Sequence, residues 1–163
     1  MRVSTAGRAV IQQREGLRLE AYRDSAGVWT IGFGATWYAD GTPVKQGDRI
    51  SPVEAERLLD THLTHFADAV DRAVTVSITQ SQFDALVSLA LNIGTDAFAR
   101  STLLRKLNSH DIAGAANEFL RWNRSGGRVV SVETNPLMEV GDTLVLSGQV
   151  EKLVAAVHKL LKV

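Results

Sequence analysis

The chain has 163 residues, 45% of them apolar and 22% charged, which suits one good core, or one domain with a fragment of another. Eighteen basic and eighteen acidic residues cancel, so no nucleic-acid partner is expected. No cysteine, no apolar run of transmembrane length and no secretory-signal pattern occurs, which removes disulfides, thiolate chemistry, Cys-ligated zinc and stable membrane insertion from the expectations.

The first helix is expected over residues 5–15, with Val10, Ile11 and Arg14 on one side and Gly16 as a left-handed C-cap. Residues 17–34 read as a hairpin. Leu17, Leu19 and Tyr22 alternate, Asp24-Ser25-Ala26-Gly27 is turn chemistry, and Val28-Trp29-Thr30-Ile31 is β-branched and aromatic. The turn Asp40-Gly41-Thr42-Pro43 places a third short strand around residues 36–38. Ser51-Pro52-Val53-Glu54 is a capping box with Pro at the first helical position. It opens a helix to about residue 73, with Leu58, Leu59, Leu63, Phe66 and Val70 on one face. A second capping box, Thr79-Gln80-Ser81-Gln82, precedes a buried helix that carries Phe83, Leu86, Val87, Ala90, Leu91 and Ile93 and ends at Gly94. Ser101 caps a helix with Leu103, Leu104 and Leu107. Asp111 opens one with Ile112, Ala115, Ala116, Phe119 and Trp122, and Gly126-Gly127 breaks the chain.

A seam follows. Residues 1–128 hold all 13 arginines and all ten aromatics, whereas residues 129–163 hold three lysines and are rich in Val and Leu. This tail reads as strand, turn, strand and helix, with the turn at Val140-Gly141-Asp142.

Chemistry concentrates between Glu15 and Gly34. Glu15 ends a helix, where the partial negative charge of the helix terminus raises a carboxyl's proton affinity and suits a proton donor. Asp24 sits in a polar turn whose backbone N–H groups favour the ionised form. Two carboxyls in unlike surroundings can divide acid and base roles in glycosidic cleavage. Thr30 offers a hydroxyl that can hold a water, and Gly32 and Gly34 let the strand bend or a sugar come close. Spacing alone says less. A Glu and an Asp nine residues apart are ordinarily surface charges, Thr30 is an ordinary strand residue, and Tyr22 and Trp29 are ordinarily core. His62 and His65 lie three apart on a helix without a third ligand, so no zinc is expected; His110 and His158 add no metal motif.

The stretch Glu15-Gly16-Leu17-Arg18-Leu19-Glu20-Ala21-Tyr22-Arg23-Asp24, then Gly27-Val28-Trp29-Thr30-Ile31-Gly32-Phe33-Gly34, resembles the signature E-G-L-R-L-x-x-Y-x-D and G-x-x-T-I-G-x-G of phage-type lysozymes, the endolysins of lambdoid and T-even phages. The resemblance continues through Thr79-Gln80-Ser81-Gln82-Phe83-Asp84-Ala85-Leu86, Asn92-Ile93-Gly94, Ser101-Thr102-Leu103-Leu104-Arg105-Lys106-Leu107-Asn108 and Phe119-Leu120-Arg121-Trp122, covering about residues 5–128.

The resemblance implies an α+β, lysozyme-like fold, with a small β-containing N-terminal lobe and a mainly α-helical C-terminal lobe, here followed by an atypical β-β-α tail. It implies Glu15 as general acid, Asp24 and Thr30 as holders of the attacking water, and Asn92 and Ser101 as sugar contacts. The implied reaction is inverting hydrolysis of the β-1,4 link between N-acetylmuramic acid and N-acetylglucosamine in bacterial cell-wall peptidoglycan. No cofactor and no metal are implied. The implied location is the host cytoplasm until a holin-type pore releases the enzyme to the wall.

Two departures stand out. Ala35 occupies a position where many relatives carry His, and no Arg after Arg128 remains to pair with the catalytic Glu as one does in relatives. Residues 129–163 weakly resemble part of the regulatory domain of TrkA-type potassium-uptake proteins, on Asn135-Pro136, Leu137 to Gly148 and Glu151-Lys152-Leu153. The division is therefore drawn as a lysozyme-like domain over 1–128 and an atypical β-β-α tail over 129–163, read either as a grafted segment or as a divergent natural terminus, with homodimerisation through the tail as one consequence. Two alternatives to an active enzyme stand beside this: a folded but inactive chimera whose tail mediates assembly, and a peptidoglycan-binding module without catalysis.

Overall fold

The computed structural model describes residues 1–24, 26–119, 124–125 and 128–129. The chain divides into two compact units between Ala69 and Val70. Expectations for the tail beyond Val129, dimerisation included, lie outside the described residues, as does Trp122.

In the first unit, α1 spans Thr5–Glu15. The Ser4 side chain accepts a hydrogen bond from the Gly7 N–H and caps its start. Gly16 closes its end with φ 68° and ψ 169°, so the positive φ expected of a cap glycine is present but ψ is extended rather than left-handed helical. Ile11 is its one buried apolar residue; Val10, expected on the same side, is 40% exposed. Polar ties fix the helix instead. Arg8 donates to Glu56 at 2.6 Å and pairs with Asp60, and Gln12 donates to Glu56 at 2.9 Å.

The hairpin follows as β1 (Arg18–Arg23) and β2 (Trp29–Gly32), antiparallel, pairing Tyr22 with Thr30 and Arg23 with Trp29. The register slips between Arg18 and Tyr22. The third strand expected at 36–38 is not one. Trp37 makes an isolated bridge with Pro43, whose missing N–H cannot extend a ladder. Residues 48–50 take the other edge of β1: the Ala21 N–H bonds to the Asp48 carbonyl at 2.9 Å and the Ile50 N–H to the Leu19 carbonyl at 3.0 Å. The core here is Ile31, Ala35, Val44 and Leu58, flanked by Ala21, Trp29, Tyr38 and Ile50. Ala35, noted for replacing a His, is a core residue, 5% exposed.

The helix α2 runs Pro52–Ala73. Its capping box forms as expected: the Ser51 N–H donates to Glu54 Oε2 at 2.7 Å and the Glu54 N–H to Ser51 Oγ at 3.2 Å. Leu58, Leu59, Leu63, Phe66 and Val70 are all buried.

The second unit is helical: α3 (Gln80–Ile93), α4 (Thr95–Ala99), α5 (Thr102–Asn108) and α6 (Ile112–Phe119), then a short ladder of β3 (Arg124–Ser125) and β4 (Arg128–Val129). Both capping oxygens of the Thr79 box are engaged, and Phe83, Leu86, Val87, Leu89 and Ala90 are buried. The five-residue α4 escapes the sequence reading; it buries Phe98 between Gly94 and Ser101. Asn108 joins the end of α2 to α5, donating to the Ala73 carbonyl at 2.9 Å and accepting from the Thr75 N–H at 3.0 Å.

Candidate active site

Glu15, Asp24 and Thr30 all belong to the first unit; the hairpin carries Asp24 and Thr30, and Glu15 and Asp24 both act electrostatically on Tyr22, the partner of Thr30. Asp24 begins the turn. Its N–H bonds to the Val28 carbonyl at 2.9 Å, and its Oδ1 accepts from the N–H groups of Ala26 (2.9 Å) and Val28 (2.8 Å). Among the described residues, the carboxylate's hydrogen bonds fall on Oδ1, which leaves Oδ2 for a solvent partner. Thr30 stands on β2, 3% exposed, and its hydroxyl donates to the Val28 carbonyl at 3.1 Å. With its proton so engaged, the Thr30 oxygen is an acceptor.

Glu15 is the last residue of α1, its side chain 24% exposed. Burial pushes its carboxyl above the usual carboxylate range, and the charge of Arg14 pulls it part of the way back. The direction is the one expected from the sequence, but the leading cause is desolvation. The carboxyl packs on Gly34, where a side-chain Cβ would lie 3.4 Å from Glu15 Oε2. The φ of 90° at Gly34 is one that glycine alone adopts readily. Gly34, read from the sequence as a place for the strand to bend or a sugar to come close, is required first by this backbone conformation, with the carboxyl in ordinary contact beside it.

Tyr22 links the three. It pairs with Thr30 across the hairpin, and its phenol is raised by burial and further by the negative charges of Glu15 and Asp24, against the lowering effect of Arg18. Arg18 lies over the Tyr22 ring at 4.6 Å. Tyr22, read from the sequence as core, is only half-buried and sits within electrostatic reach of both carboxyls.

Asn92 and Ser101 belong to the second unit, and each serves its own helix. Exposed Asn92 donates to the Ser88 carbonyl at 2.7 Å; buried Ser101 accepts from the Leu104 N–H at 3.1 Å as the cap of α5. Among the described residues no cluster of His, Asp and Glu could hold a metal ion. His62 instead donates from Nε2 to the Trp37 carbonyl at 2.9 Å and stacks on the Trp37 ring at 3.8 Å.

The phage lysozyme family model matches residues 12–135. The chain belongs to this family. The match takes in Glu15, Asp24, Thr30, Asn92 and Ser101 and passes residue 128, and none of these comparisons points to a TrkA-type segment or a graft. The chain is 46% identical over 131 residues to an endolysin of Bacillus phage B103, covering 79% of this chain and 48% of that one. It is 43% identical over 126 residues to the endolysin of Salmonella phage P22, covering 77% of this chain and 86% of the relative. It thus spans about half of the first relative and most of the second. A solved endolysin from Escherichia coli O157:H7 phage FAHEc1 superposes with a TM-score of 0.75 at 35% identity, over 96% of this chain and 92% of that one. The α+β, lysozyme-like fold and a lysozyme-type glycosidase class follow from this membership.

Proposed function

We propose that this family member is a muramidase that cleaves the β-1,4 bond between N-acetylmuramic acid and N-acetylglucosamine, with Glu15 as general acid and Asp24 and Thr30 holding the water. Glu15 gives its proton to the glycosidic oxygen as the bond to the anomeric carbon breaks. Water attacks that carbon from the opposite face and yields its proton toward Asp24, which inverts the configuration. The observation that carries the reading is the contrast between the carboxyls: Glu15 is partly buried with raised proton affinity, while Asp24 is hydrogen-bonded by two backbone N–H groups. The acceptor oxygen of Thr30, on the strand leaving the same turn, suits a water proton.

Asn92 is a sugar contact in this reading, as is Ser101, whose hydroxyl proton remains for donation. The partner is bacterial peptidoglycan, met after release of the enzyme to the wall. No helix among the described residues is long and apolar enough to cross a membrane.

Clearing of a peptidoglycan suspension tests the reading. Glu15→Gln is expected to slow clearing by about 100-fold or more, the usual contribution of a general acid, with the cooperative melt intact. Clearing by Glu15→Gln at the wild-type rate overturns the assignment.

A further inference from the structure

We propose that Arg14 is a positioning residue of the general acid: its buried guanidinium acts on the Glu15 carboxyl through its charge, at ion-pair distance and without a hydrogen bond between them, from the same helix. The inference rests on Glu15 acting as the acid. The Arg14 side chain is 5% exposed, and its Nη2 lies 3.9 Å from Glu15 Oε1. A guanidinium stays charged at every working pH, and burying it is costly, so a helical arginine ordinarily points to solvent. On α1 the costly placement is taken, and Ile11 is the buried apolar residue of the helix.

The groups facing the Glu15 carboxyl, among the described residues, come from three segments. The helix gives Arg14, β1 gives the Tyr22 phenol, and the stretch after β2 gives the backbone of Gly34. Arg14 is the cation of this set. Its charge favours the carboxylate while burial favours the acid, so the protonation of Glu15 is a balance that Arg14 holds down.

Three measurements decide this. In Arg14→Met, the carbon-13 titration of the Glu15 carboxyl is expected to have its midpoint about one pH unit above wild type. The alkaline limb of kcat/KM moves the same way, because the acid stays protonated to higher pH. Arg14→Lys, which keeps the charge without the planar fork, is expected to hold the midpoint close to wild type. In the wild type, the nitrogen-15 signals of the Arg14 guanidinium are expected to follow the Glu15 titration. A folded Arg14→Met with an unmoved midpoint overturns the proposal, as does an Arg14→Lys midpoint raised as far as that of Arg14→Met. Should Arg14→Met fail to fold, guanidinium signals indifferent to Glu15 overturn it. The titrations need no activity, so an active Glu15→Gln sinks the general-acid reading while leaving them readable.

Discussion

Glu15 serves two opposed demands. A proton donor gains from burial, but the same burial destabilises its ionised form in the folded chain. Its folded pKa stands above the unfolded one, so the folded state binds more protons between those two values. Stability from this group is therefore present at low pH and lost as pH rises through that window. Glu15→Gln is expected to be more stable than wild type at neutral pH by about 0.5–2 kcal/mol, the usual size of a single stabilising change. The difference should vanish as pH falls below the ordinary value of 4.5. Denaturant melts of both proteins at acid and neutral pH measure it. At this scale the sequence was partly legible. The motif marks Glu15, Asp24 and Thr30, but spacing does not tell that Arg14 turns inward or that Gly34 seats the carboxyl. Those contacts depend on how the helix end meets the hairpin.

Elements were legible where local chemistry alone decides them. Ser51, Thr79 and Ser101 announce their helices because each side chain satisfies a backbone N–H in its own first turn. The second partner of β1 was not legible, because residues 48–50 carry no alternating pattern and are held by backbone bonds to Leu19 and Ala21. The α4 helix is too short for periodicity to register. Within α2, His62 belongs to a ring stack with Trp37, and burial holds its imidazole below the ordinary 6.5. The unfolded chain therefore binds a proton that the folded chain refuses. Stability from this neutral imidazole is fully present above about pH 6.5 and lost as pH falls through the depressed value. His62→Phe is expected to flatten the acid fall in Tm, at a cost of about 1 kcal/mol for the lost bond to Trp37. Thermal melts across this range check it; an unchanged acid slope contradicts it.

For the molecule as a whole, charge is balanced, with an isoelectric point near 6.9. Proteins associate most readily where net charge vanishes, so solubility is expected to pass through a minimum near that pH. With no net charge to steer encounter, the wall-clearing rate should depend only weakly on salt at that pH. Clearing rates at low and high ionic strength test this, and a steep loss with salt contradicts it. The α+β class came with the family resemblance; periodicity by itself marked the hairpin and the long capped helices, whose repeats differ. The reading of the tail rests on composition and a weak resemblance, and it falls almost wholly outside the described residues.

The proposed acid, its arginine, the water holders and the glycine seat all fall between Arg14 and Gly34, a single helix end and hairpin. A catalytic kit so contiguous can travel as a cassette. Its internal distances still lean on supports outside the stretch, Glu56 and Asp60 against the first helix and residues 48–50 against the hairpin, so a transplanted kit must carry those supports with it.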